Sequence, residues 1–155
     1  MKRSIVIVSL LMLVSVAMAA PNRLSGVPVQ IQTKTAAVSP KRPHIAIIGA
    51  KLYTDRRHGN VGLLVTTKNI GRVPCIYAVM HLRLFNKKGK CIWATSIFAI
   101  SMDREPLKPG CIRGPLHFRL QDDSWRVASE VTGASLEFEG YGGPYDPQCQ
   151  GLYKH

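Results

Sequence analysis

Between Cys75 and Phe85 the residues Ile76, Ala78, Met80, Leu82 and Leu84 alternate with Tyr77, His81 and Arg83. Successive side chains of an extended strand point to opposite faces, so this stretch fits a half-buried β-strand and not an amphipathic helix. Asn86-Lys87-Lys88-Gly89 follows as a hairpin turn, with Gly where a positive φ is needed. The same reading predicts strands over His44–Tyr53, Asn60–Asn69, Cys91–Ser101, Cys111–Leu120 and Ala134–Tyr141. Asp55–Gly59, Ile70–Pro74 and Leu107–Gly110 are the turns between them. Cys91–Ser101 is apolar on both faces, which predicts an interior strand. In Cys111–Leu120, Ile112, Gly114, Leu116, Phe118 and Leu120 are expected inward and Arg113, His117 and Arg119 outward. Asp122–Val131 is expected to hold one short helix capped by Asp122 or Asp123, with Trp125, Ala128 and Val131 on one face. About six or seven short strands joined by tight turns give an all-β chain, a small antiparallel sandwich.

The N-terminus reads differently. Lys2 and Arg3 precede an uncharged apolar run, Ile5–Val16, and the small-residue triplet Ala17-Met18-Ala19. These are the parts of a cleavable secretory signal, residues 1–19, with the mature chain starting at Ala20. The run is shorter than the ~20 residues that span a bilayer, and no second stretch in the mature chain is long enough to do so. The expected location is therefore secreted or periplasmic. Residues 20–43 carry Pro21, Pro28, Pro40 and Pro43 among polar and basic residues without an acid, the pattern of a flexible basic arm. The alternative is a short strand through Val27, Val29 and Ile31 added to a sheet edge. Residues 142–155 form a Gly/Pro-rich tail containing Cys149.

Removing Lys2 and Arg3 leaves 19 basic against 9 acidic residues, a strongly basic balance. Such a field favours acidic protein faces, acidic glycans, anionic lipid or nucleic acid, and it also keeps a protein soluble. Between Asp55 and Asp103 there are eight Lys or Arg and no acid. Strand reversal brings the turn holding Arg56, Arg57 and His58 to the same end as the turn holding Lys87, Lys88 and Lys90, which predicts an electropositive rim there. Asp122 and Asp123 are expected nearby. The same directions put Cys75 and Cys111 at one end and Cys91 at the other, so Cys149 is expected to bond Cys75 or Cys111, leaving Cys91 unpaired. Closing such a loop contributes roughly 4 kcal/mol in the chain-entropy model.

Val61-Gly62-Leu63-Leu64-Val65, then Asn69-Ile70-Gly71, then Leu82-Arg83-Leu84-Phe85-Asn86 before Lys88-Gly89, then Leu107-Lys108-Pro109-Gly110 form an ordered series over residues 44–141. In this the chain resembles the FxLYD-type and related CARDB-like immunoglobulin-fold modules of secreted bacterial proteins, with Phe85-Asn86 where that family usually shows Tyr-Asp. The resemblance implies an immunoglobulin-like β-sandwich that mediates interactions or acts as a spacer. It carries over no functional residue.

Chemistry-bearing constellations are sparse. Glu137 and Glu139 lie at i, i+2 on one strand and share an outward face, unlike a glycosidase pair facing across a cleft. Asp122-Asp123-Ser124 lacks a Gly-x-Ser-x-Gly nucleophile elbow, and Cys91 with His81 or His117 is better read as a disulfide partner or a buried thiol. His81 and His117 would need neighbouring strands to share a metal, and there is no Cys-x-x-Cys. Gly142-Gly143-Pro144-Tyr145 has no phosphate-loop Lys. The expected function is non-catalytic and needs no cofactor or metal: an interaction or assembly module of the cell envelope with an envelope or extracellular protein partner. A polyanion-binding factor is the alternative and an unrecognised small hydrolase the third reading.

Overall fold

The structure, a computed structural model, describes residues 23–32, 40–55, 58–101, 104–120 and 123–144. Strands β1 (Val29–Gln32), β2 (Ile45–Thr54), β3 (Val61–Asn69), β4 (Tyr77–Phe85), β5 (Cys91–Ile100), β6 (Ile112–Arg119) and β7 (Gly133–Gly142) accompany one short helix, α1 (Trp125–Ala128). They form a four-stranded sheet, β1-β7-β4-β5, and a three-stranded sheet, β2-β3-β6. This is the expected small immunoglobulin-like β-sandwich, antiparallel except where β1 runs parallel to β7.

The alternation of β4 decides one wall of the core: Ala78, Met80, Leu82 and Leu84 are fully buried. Opposite them stand Leu63 and Val65 of β3 and Leu52 of β2, also fully buried. A bulge between Ile47 and Gly49 switches the inward parity of β2 from odd to even positions. Ile45 and Ile47 are buried before it, Leu52 after it, and Ile48 is left exposed. A second bulge, between Val65 and Thr67, faces Gly114 of β6. Gly114 has φ 129°, and a Cβ there would lie 2.6 Å from the Val65 carbonyl oxygen, so only glycine fits.

Asn69 closes the end of the sandwich where β3 finishes. It is fully buried, and its Nδ2 donates to Val73 O (2.8 Å) and Leu107 O (2.9 Å) while its Oδ1 accepts from Gly71 N (3.0 Å). Its backbone joins in, accepting from Gly110 N and donating to Cys111 O. One amide side chain thus ties together both turns that the Asn69-Ile70-Gly71 and Pro109-Gly110 patterns predict, with Gly110 at φ 77°.

Three expectations need correction. β5 is not interior: among the described residues it is the edge strand of its sheet, paired to β4 alone. An uncharged strand reads as buried on both faces, but nothing in its own sequence names its neighbours. β6 is likewise an edge, so Ile112 is exposed and Leu116 and Phe118 are only partly covered. In the basic arm, residues 23–32 follow the strand alternative: Arg23–Gly26 makes a 3-10 turn and β1 pairs with β7 in the register Val29↔Ala134 to Gln32↔Glu137. Leu24 anchors this segment, buried in the common core beside β2. Hydrophobic anchoring outweighs the polar, Pro-rich composition here, since a buried Leu is worth about 1.5–3 kcal/mol. The expected signal at residues 1–19 lies outside the described residues.

Candidate functional site

At the end where β2 leads into β3 and β4 into β5, the turn chemistry sets the geometry. Asn86 Oδ1 accepts from the backbone N–H of Lys88 (3.0 Å) and Lys90 (3.1 Å), and Gly89 takes φ 73°. The Asn side chain satisfies the turn's donors internally, so Lys87, Lys88 and Lys90 project into solvent, exposed. Thr132 N donates to Phe85 O, placing the segment after α1 against this turn. Arg23, Lys87 and Lys88 therefore share a shallow depression of about 390 Å³ with Ser129, Glu130 and Thr132.

The first hairpin reaches the same end. Ser124, fully buried, accepts from Val61 N (3.1 Å), and Gly59 packs beside Trp125. Ser124 is thus a structural tie between β3 and the start of α1. Trp125 is 53% exposed, with the Arg126 guanidinium 5.6 Å from its ring centre. His58 and Arg119 both face Asp55 Oδ2, at 3.3 and 3.5 Å. The predicted rim residues His58, Lys87, Lys88 and Lys90 thus lie at one end, with α1 between the two turns. Arg56, Arg57 and Asp122 lie outside the described residues. Asp55 offsets the His58 side, whereas Lys87, Lys88 and Lys90 form no ion pair among the described residues. Sequence reasoning missed Arg23, Arg119, Trp125 and Arg126 as members of this end; only the arm's docking and the register of β6 bring the first two there.

The other candidates are separated or spent on structure. His81 and His117 sit on different sheets, and the His117 ring meets Tyr53 edge-on at 5.9 Å. No group of three His, Cys, Asp or Glu among the described residues has the arrangement to hold a metal. Glu137 and Glu139 lie on the outward face as expected: Glu137 pairs with Arg83 (3.1 Å) and Glu139 accepts from Ser96 Oγ (2.8 Å). His81 lies 3.4 Å from the same Ser96. The Ser96 hydroxyl thus holds the Glu139 carboxylate on this exposed face.

Cys75 is buried and its thiol faces Tyr77 O (3.1 Å), while Cys91 and Cys111 are exposed. No disulfide links these three, and Cys149 lies outside the described residues. Cys75 and Cys111 occupy the end closed by Asn69, and Cys91 the basic end, as strand direction predicts. Ile76 N donates to Gly142 O, and Gly143 lies against Pro74, so the chain leaves β7 beside Cys75. No helix among the described residues is long and apolar enough to cross a membrane. Compared with protein-family models, curated proteins and solved structures, the chain matches none.

Proposed function

We propose that this chain is an exported, non-catalytic β-sandwich module that binds an acidic partner protein of the cell envelope or extracellular space through its basic end. The observation that carries this reading is the trio Lys87, Lys88 and Lys90, exposed and in no ion pair among the described residues, at the end of the sandwich where Trp125 is also exposed. Charges at a turn tip contribute little to folding. A large aromatic left half in solvent has an apolar body and a polar N–H to offer a partner. The likeness to FxLYD-type interaction modules supports the same reading, and so does the signal-like N-terminus. The tail's exit beside Cys75, with Cys111 at the same end, supports a Cys149 disulfide to one of them.

Polyanion binding is the second reading, favoured by the Arg126–Trp125 stack, a pairing suited to sulfated glycans and lipid headgroups. The test is retention on heparin and on anionic vesicles across a salt series, comparing the wild type with a variant in which Arg56, Arg57, Lys87 and Lys88 are Ser. Weakened low-salt binding at an unchanged melting temperature supports the basic end as the contact surface. Steep salt dependence favours the polyanion, and salt-tolerant binding to one envelope protein favours the module. Unchanged retention refutes the basic end, and turnover of an ester or peptide library refutes the non-catalytic assignment.

A further inference from the structure

A second surface lies away from the basic end, where the two edge strands β5 and β6 flank an open side of the sandwich. β5 runs Cys-Ile-Trp-Ala-Thr-Ser-Ile-Phe-Ala-Ile from Cys91 to Ile100, with no charge, Pro or Gly. Edge strands are ordinarily protected by charges, Pro or bulges, because their outer N–H and C=O groups template pairing with another chain. β6 is protected in that way by Gly114 and Pro115, which lacks an N–H donor, and β5 only at its two ends, by bulges at Ile92 and Ala99, so the regular stretch Trp93 to Phe98 keeps an open outer edge. β5 has no neighbour on its outer side among the described residues, and Phe98 on its outward face is 61% exposed.

Beside Phe98 opens a groove of about 370 Å³ lined by Arg104, Arg113, Leu116, His117 and Phe118 among others. Its described lining contains three basic side chains and no carboxylate. Arg113 Nη2 donates to the Glu105 carbonyl, yet Arg113 Nη1 is buried with no acceptor. A buried guanidinium N–H without a partner costs free energy, which a carboxylate in the groove would recover once the Arg113 side chain turns that N–H toward it.

We propose that the β5 edge and this groove bind an extended peptide segment of a partner protein, which adds as a strand to β5 and seats a carboxylate on Arg113 and Arg104. Main-chain pairing supplies affinity and the carboxylate supplies selectivity, as in other strand-addition complexes. The occupant is not a second copy meeting edge to edge, because β5 itself carries no acid to satisfy Arg113. This site is distinct from the basic depression at Lys87 and Lys88, with which the groove shares no lining residue.

The probe is a set of acetylated, amidated peptides of alternating Thr and Val in which one position, scanned along the chain, carries Glu, Gln or Lys. Binding to the full mature protein is read by fluorescence anisotropy, with amide exchange of β5 followed in parallel. The best Glu peptide binds about tenfold more tightly than its Gln or Lys counterpart and slows exchange along β5. Arg113→Gln abolishes the Glu preference, Phe98→Lys weakens every peptide, and a variant with Lys87 and Lys88 changed to Ser behaves as wild type. Arg104→Gln, at an exposed position, reduces the preference and carries the test if Arg113→Gln unfolds the protein. Absence of binding, equal binding of the three peptide series, or a Glu preference that survives both Arg substitutions overturns the proposal. A concentration-dependent dimer of the free protein that Phe98→Lys dissolves would also overturn it, by giving the edge to a second copy.

Discussion

Replacing Asn69 with Ala removes three side-chain hydrogen bonds at once from a fully buried position. Buried bonds of this kind contribute about 1 kcal/mol each. Not every partner is left bare: Leu107 O keeps the bond from Cys75 N, and Gly71 N also reaches His44 O at 3.1 Å. Val73 O has no such reserve among the described bonds, and the loss of contacts around the removed amide adds to the cost. The expected destabilisation is therefore about 3 kcal/mol, or roughly 10 °C in melting temperature for a domain of this size. Asn69→Asp keeps the acceptor for Gly71 but points a carboxylate at two carbonyls, and it should cost at least as much near neutral pH. Asn86→Ala is the control: it also removes two bonds, to Lys88 N and Lys90 N, but those donors are exposed and water replaces them, so the loss stays below about 1 kcal/mol. Urea unfolding followed by far-UV circular dichroism measures all three. A loss under about 1 kcal/mol for Asn69→Ala at unchanged m-value would refute the claim that this side chain holds the turns together.

The remaining predictions address the ends of the chain and its thiols. Leu24→Ala should destabilise the domain by about 2–5 kcal/mol, as a core truncation does, and a chemical-denaturation midpoint like wild type would return residues 23–32 to the status of a loose arm. Intact-mass measurement of exported protein should find an N-terminus at Ala20; retained residues 1–19 would contradict this. Non-reducing peptide mapping should find Cys149 bonded to Cys75 or Cys111 and Cys91 alkylated in the folded protein, whereas a Cys149–Cys91 peptide would contradict the strand directions.

How much of this was legible in the sequence follows from which interactions are local. The β4 alternation, the Asn86–Gly89 turn and the Asn69-Ile70-Gly71 corner are written in adjacent residues, and each is found where the pattern puts it. The β2 parity switch at Ile48 was not legible, because a one-residue bulge leaves no mark in an Ile-rich run. The edge position of β5 depends on which strands pair across the sheet, and its lack of charge suggested the opposite. Arg113, expected merely to face outward, gains its interest from the Glu105 carbonyl and from an absence of acceptors that only the folded groove creates. The basic end was legible for Lys87, Lys88 and Lys90, since strand direction alone brings turns to one end. The pairing of Asp55 with His58 and Arg119 at that end was not.

The claim that partners are engaged through the basic end is tested most directly by site-specific photocrosslinking in intact exporting cells. A photoreactive residue at Lys88 should give one discrete adduct with an acidic protein, and the same residue at Ile70, exposed at the opposite end, should give none. Adducts of equal yield from both positions, or none from Lys88, would contradict the account.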